Sequence, residues 1–172
     1  MVIHPYYVTL DLYLRDHLRV EALKSIEKAP LNLAGAGWET VLDEFKNSNV
    51  SYMGAIHPND VGSYYAKAKV VLYFMNTYHE SHDRVFSAIA DGSVVLTSTS
   101  EFYSKTFSPD ELILYDRKEN NLEEICQKLI FDDARLREIA ENGRQKLLSE
   151  HTWRHRAETT LKELGNLQTS IG

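Results

Sequence analysis

Residues 70–97 read VVLYFMNTYHESHDRVFSAIADGSVVLT, and the order of these segments decides the fold. Val70 to Met75 is an apolar run too short for a helix of ordinary length and without polar alternation, as expected of a strand covered on both faces. It is expected to be the central strand. A polar stretch from Asn76 follows, then a helix from Asp83 to Asp91 stopped by Gly92, then a second strand from Val94 to Thr97. Strand, helix and strand in succession demand a parallel crossover, and such crossovers are right-handed almost without exception.

The same alternation extends outward in both directions. Before the central run, Leu14, Leu18, Ala22 and Ile26 recur every four residues between Asp11 and Lys28 with Arg15, Arg19 and Lys24 facing elsewhere, which predicts an amphipathic helix ended by Pro30. Leu31 to Ala34 reads as a buried strand running into Gly35-Ala36-Gly37, Trp38 to Lys46 as a short helix, Val50 to Met53 as a strand and Pro58 to Lys69 as a helix. After it come a strand at Leu112 to Tyr115 and helices at Leu122–Phe131, Ala134–Leu148 and Trp153–Leu164. The expected fold is α/β: a doubly wound, Rossmann-like parallel sheet of about five strands with helices on both faces. The expected domain is single, 1–172, with an N-terminal segment and helix at 1–30, a strand-helix core at 31–118 and C-terminal helices at 119–172.

Composition narrows the function classes. With 43% hydrophobic and 26% charged residues, the 172-residue chain has the balance of a globular domain large enough to bury a core. A net charge of −6 argues against attraction to nucleic acid or an anionic membrane face. No run of about 18 apolar residues marks a membrane span, and no signal peptide is expected at Met1–Leu10. Cys126, the lone cysteine, lies among Leu122, Ile125 and Leu129 as a small hydrophobe, which fits a reducing compartment and a cytoplasmic location.

Ligands of a doubly wound sheet bind beyond the carboxyl ends of its strands, here Gly35–Trp38, Gly54–His57, Asn76–Arg84 and Thr97–Ser100. Gly35 and Gly37 either make a tight strand-to-helix turn or let backbone approach a sugar or phosphate. The third position of a dinucleotide fingerprint is Thr40, so a nicotinamide cofactor is not expected. The segment from Asn76 through Tyr78, His79 and His82 feeds a helix whose free amides favour phosphate, and Arg84 in its first turn adds a forked cation. The alternative for Arg84 is a surface pair with Asp83 or Glu80. His79 and His82 lack metal-ligand spacing, Cys126 is away from the strand ends, and no serine sits in a nucleophile elbow, so neither a metal nor a covalent nucleophile is expected.

Residues 84–97, RVFSAIADGSVVLT, resemble the R-x-F-E-A-x-A-x-G-x-x-x-x-T core of the group 1 glycosyltransferases in their spore-maturation-like branch. Glu138–Gly143 and Glu150–Ala157 are similar to that branch's I-A-x-x-G and E-H-T-Y-x-x-R-A ending, and Gly35-Ala36-Gly37-Trp38 and Val50–Gly54 to its G-x-G-W and V-x-Y-x-G strand ends. The resemblance runs in order from about Leu31 to Leu164 and implies the nucleotide-sugar-binding C-terminal half of a GT-B enzyme. It implies a nucleotide base near Gly54 and Ile56, and a diphosphate and sugar near Asn76, Tyr78, His82 and Arg84. The donor would be a nucleotide-diphosphate sugar, with no further cofactor, and an N-terminal acceptor domain or partner chain would complete the cleft.

Two family glutamates are replaced: the one that contacts ribose falls on Ser87 and the earlier one of the retaining enzymes falls on His79. The implied function is donor-sugar binding for transfer to an acceptor. The alternative is a noncatalytic nucleotide-binding or protein-interaction domain on the same fold.

Overall fold

The structure, a computed structural model, describes residues 4–45, 49–74 and 81–171. In chain order the elements are α1 (His4–Lys24), β1 (Leu31–Leu33), β2 (Val50–Tyr52), α2 (Val61–Tyr65), β3 (Val70–Tyr73), α3 (Asp83–Ala90), β4 (Val94–Ser98), α4 (Glu101–Thr106), β5 (Ile113–Tyr115), α5 (Leu122–Ile130), α6 (Asp133–Glu150) and α7 (Trp153–Ile171). All strand pairings among them are parallel. β1 pairs with β2, and β4 lies between β3 and β5.

The twofold alternation of a strand sorts the apolar residues into two cores. On one face Leu31, Leu33, Val94, Leu96 and Tyr115 are buried with Val70, Leu72 and Ile113 against Ala22, Leu23 and Ile26 at the end of α1, Leu122, Cys126 and Leu129 of α5, and Leu136 and Ile139 of α6. On the other face Val95 packs with Val71, Tyr73 and Leu114 against Val85, Ala88 and Ile89 of α3, Tyr103 of α4 and Leu147 of α6. Helices therefore cover both faces, as the α/β alternation predicts. Cys126 is 5% exposed and burial pushes its thiol up to about 11, which leaves it a packing residue.

Several expectations are corrected. The first helix starts seven residues earlier than its apolar repeat suggests, and Leu14 on that repeat is exposed. The expected helix 38–46 is, over the described residues 38–45, two 3-10 turns, Trp38–Thr40 and Leu42–Glu44, because Gly37 enters with a left-handed backbone and Val41 breaks the run. Helix 58–69 contracts to a 3-10 turn and the five residues of α2. α4 was not expected; Ser100 caps it by accepting the Tyr103 amide at 3.0 Å, and buried Tyr103 and Phe107 hold it down.

β3 is not the centre of its sheet. That place belongs to β4, with Val94 to Thr97 fully buried, whereas all four residues of β3 are only half-buried. Val70–Leu72 and Val94–Leu96 carry the same Val-Val-Leu run, and the hydrogen-bonded neighbours distinguish them.

The carboxyl-terminal helices are tied down by an aromatic cluster. The His151 ring lies 5.8, 6.3 and 5.4 Å from the rings of Phe86, Phe102 and Phe107, and the Arg156 guanidinium sits 5.9 Å from both Phe86 and Phe102. Burial, reinforced by the nearby Arg156 charge, holds the His151 imidazole below its ordinary value. The unfolded chain then takes up this proton first, so the neutral ring's contribution is present above about pH 6.5 and is lost as pH falls toward the depressed folded value. The stability advantage of the parent over His151→Gln is expected to shrink as pH drops from about 7.5 to about 5. Thermal melts across that range check it, and an advantage that grows on acidification contradicts it.

Candidate functional site

The two arms of the sheet meet where the direction of winding reverses. β1 leads to β2 through turns whose Trp38, Leu42 and Phe45 pack on the first face, whereas α2, α3 and α4 put Tyr65, Val85 and Tyr103 on the second. The junction between the β1–β2 and β3–β4–β5 sheets is the switch point of this winding, and the loops after β1 and β2 and the entrance to α3 follow the carboxyl ends of their strands.

On the β1 side, Gly35 and Gly37 take positive φ values of 108° and 97°. That backbone lets the Gly35 amide donate to the Gly54 carbonyl at 2.9 Å, which joins the loops after β1 and β2. The Gly37 amide donates to Glu39 Oε2 at 2.8 Å, and the Tyr52 hydroxyl donates to the same oxygen at 2.7 Å. Hydrogen bonds from its own amide, from Tyr52 and from Gly37 hold the Glu39 carboxyl below the usual range. One amide of the glycine loop is thus already engaged by the chain's own carboxylate. Ile56 lies half-buried in the loop after β2.

On the β3 side, His82 caps α3: its Nδ1 accepts the Arg84 amide at 3.2 Å and lies 2.6 Å from Asp83 Oδ1. Its ring is 4.7 Å from that of Tyr73, the last residue of β3. The His82 amide donates to the Tyr103 hydroxyl at 2.8 Å. Tyr103 is 1% exposed and desolvation pushes its phenol up to about 12, so it stays a neutral hydroxyl that fixes the entrance to α3. Tyr103→Phe leaves that amide without its acceptor and is expected to cost about 1–2 kcal/mol, to be read from denaturant unfolding.

Arg84 and Ser87 are exposed, one turn apart on α3. Burial raises the Tyr73 phenol while the Arg84 and Arg19 guanidiniums pull it back, so both cations lie near the end of β3. Arg19 also sits 6.0 Å from the Trp38 ring. It also lies 3.8 Å from Asp16 Oδ1. The α1 repeat turns Arg19 away from the apolar stripe; the folded chain brings it beside Trp38.

Gly35, Gly37, Gly54 and Ile56 thus lie in the loops after β1 and β2, and His82, Arg84 and Ser87 at and just inside the start of α3, which follows β3. Asn76, Tyr78 and His79 lie outside the described residues. Beyond β4 and β5 opens a depression of about 750 Å³, lined by Leu18, Ser98, Ser100, Ser104, Arg117 and Lys118 among others. Its Asp116, Arg117 and Lys118 directly follow Tyr115, the last residue of β5, and the carboxyl-end rule applied to β5 would have identified them. Among the described residues no helix is long and apolar enough to cross a membrane, and no group of three or more His, Cys, Asp or Glu is placed to hold a metal.

Residues 15–162 match the family model described as glycosyl transferase-like. Among solved structures, the sucrose-phosphate synthase from Thermosynechococcus elongatus superposes with a TM-score of 0.68 at 22% identity, over 88% of this chain and 42% of that one. The chain thus spans less than half the length of that protein, and at this identity the likeness shows the fold, a GT-B Rossmann-like one. No curated protein matches the sequence. With the family model covering most of its length, including the strands and α3 that build the switch point, the chain belongs to the glycosyl transferase-like family.

Proposed function

We propose that the chain is the donor-binding half of a glycosyltransferase, holding a nucleotide-diphosphate sugar across the carboxyl ends of β1 and β3. The observation that carries this reading is the pair of guanidiniums, Arg84 in the first turn of α3 and Arg19 6.0 Å from the Trp38 ring, whose charges both act on the Tyr73 phenol at the end of β3. Two forked cations beside a helix entrance suit a diphosphate that gains charge as the sugar leaves. Gly54 and Ile56 then face the nucleotide base, and Ser87, one turn beyond Arg84, faces the ribose. The spore-maturation-like branch is part of the same proposal.

The test is a thermal-shift panel of nucleoside diphosphates with the bare nucleosides beside them. A ligand at 100 times its dissociation constant stabilises by about 2.7 kcal/mol, so one diphosphate is expected to raise Tm while its nucleoside does much less. No shift with any diphosphate at millimolar concentration overturns the reading.

Ser87 in place of the family glutamate favours a second reading, a domain that binds nucleotide without transfer. Either way the purified chain is expected to pass no sugar to an acceptor, because the half-cleft leaves the reacting centre open to water. Radiolabelled donor assays check this, and efficient transfer by the chain alone contradicts it.

A further inference from the structure

The depression beyond β4 and β5 uses none of the residues assigned to the donor. Its volume of about 750 Å³ is that of a small-molecule site, and three separate segments wall it: α1 through Leu18, the end of β4 and α4 through Thr99 and Ser104, and the end of β5 through Tyr115, Arg117 and Lys118.

The walls are fixed by the backbone. Ser98 of β4 lies opposite Tyr115 of β5, and one residue further the Thr99 amide donates to the Tyr115 carbonyl at 3.0 Å. Beyond that bond, Ser100 caps α4, while Asp116 caps the 3-10 turn Arg117–Glu119 by accepting the Lys118 amide at 2.9 Å. Arg117 and Lys118 therefore stand on a capped turn joined to the sheet, which holds them in place before any ligand arrives.

The charges around the depression are unevenly matched. Glu101 is paired with Lys105 at 2.5 Å, and the Asp116 carboxylate is occupied by its own cap. Across the depression on α1, Lys24 lies 2.7 Å from Glu21 and holds its carboxyl below the usual range, with a smaller pull from Arg117. Among the described residues neither Arg117 nor Lys118 enters an ion pair, on a chain whose net charge is −6. Tyr115 is 4% exposed, and its hydroxyl has no hydrogen bond among the described residues. Burial raises that phenol while the Arg117 charge pulls it back and the Asp116 charge opposes the pull, so it stays a protonated donor in the field of Arg117. Two unpaired cations, a phenol without a partner and the Thr99 hydroxyl thus stand beside the apolar wall of Leu18.

We propose that this depression binds a small polyhydroxylated anion, a sugar phosphate or sugar acid of monosaccharide size. Arg117 and Lys118 take its charged group, the Thr99 and Tyr115 hydroxyls its alcohols, and Leu18 covers its carbon face. A neutral sugar leaves both cations unanswered and is excluded on that ground. The inference is independent of the donor reading, since it uses no residue of the glycine loop or of α3.

NMR titration of the 172-residue chain with mannose 6-phosphate, gluconate and mannose tests it. At least one of the two anions is expected to shift the amides of Thr99, Ser100 and Lys118 saturably at millimolar concentration, and mannose to leave them in place. The tighter of the two anions tells phosphate ester from carboxylate. Arg117→Gln combined with Lys118→Gln is expected to weaken that binding about tenfold or more, the effect of removing hydrogen bonds to a charged group. Both side chains are exposed, so the double variant keeps the parent's core, and its Tm verifies this. No saturable shift with either anion overturns the proposal, as do equal shifts with mannose or parent-like affinity in the double variant. Shifts confined to Gly37 and Arg84 also overturn it, since the anion then sits at the switch point.

Discussion

Gly143→Ala is expected to destabilise the protein by about 2 kcal/mol although it replaces glycine by the best helix former. A Cβ built at Gly143 lies 2.5 Å from the Glu111 carbonyl oxygen, a backbone atom that cannot rotate away, and 3.6 Å from Ile89. α6 passes from one face of the sheet to the other at this point, with Ile139 in one core and Leu147 in the other. The close approach lets both be buried at once. Helix propensity returns about 1 kcal/mol, but moving the Glu111 loop disturbs Leu112, which is 1% exposed and leads into β5. The control is Gly165→Ala, where the same Cβ meets open space and stability is expected to rise by up to about 1 kcal/mol. Urea unfolding of both variants measures the contrast; equal effects of the two substitutions contradict the packing account.

Arg84→Ala is expected to weaken nucleoside-diphosphate binding by about 1.5–3 kcal/mol, roughly 10- to 150-fold, and to leave the bare nucleoside nearly unchanged. The guanidinium is exposed in the first turn of α3 beside Tyr73, so its loss removes a charge-assisted bond without opening a core. Arg19→Ala is expected to act in the same direction. Ser87→Glu restores the acid that the family carries there and is expected to tighten nucleotide binding by about 1 kcal/mol. Repulsion from Asp83 and Asp91, each four residues away on the helix, reduces that gain by a few tenths of a kcal/mol per pair. Calorimetric titration reads all three. Parent-like diphosphate affinity in Arg84→Ala, or loss of binding in a folded Ser87→Glu, removes the site from this helix.

Local pattern and tertiary structure divided the work along physical lines. The sequence alone determined the α/β alternation, the parallel sheet and the helix that begins at Asp83, because strand and helix periods are local. It also pointed to Gly35 and Gly37 after β1 and to His82 and Arg84 after β3 as candidates, since residues that follow strands lie at one edge of a parallel sheet. It did not reveal α4, six residues long and held by Tyr103 and Phe107 from a core built by other segments. Nor could it separate β3 from β4, which both open on Val-Val-Leu; the difference is which neighbours supply hydrogen bonds, and that is a long-range property. Arg19 is the clearest case. Its place in the α1 repeat fixes only its angle around the helix axis, and packing of Leu23 and Ile26 under β1 carries that angle over Trp38 and Tyr73.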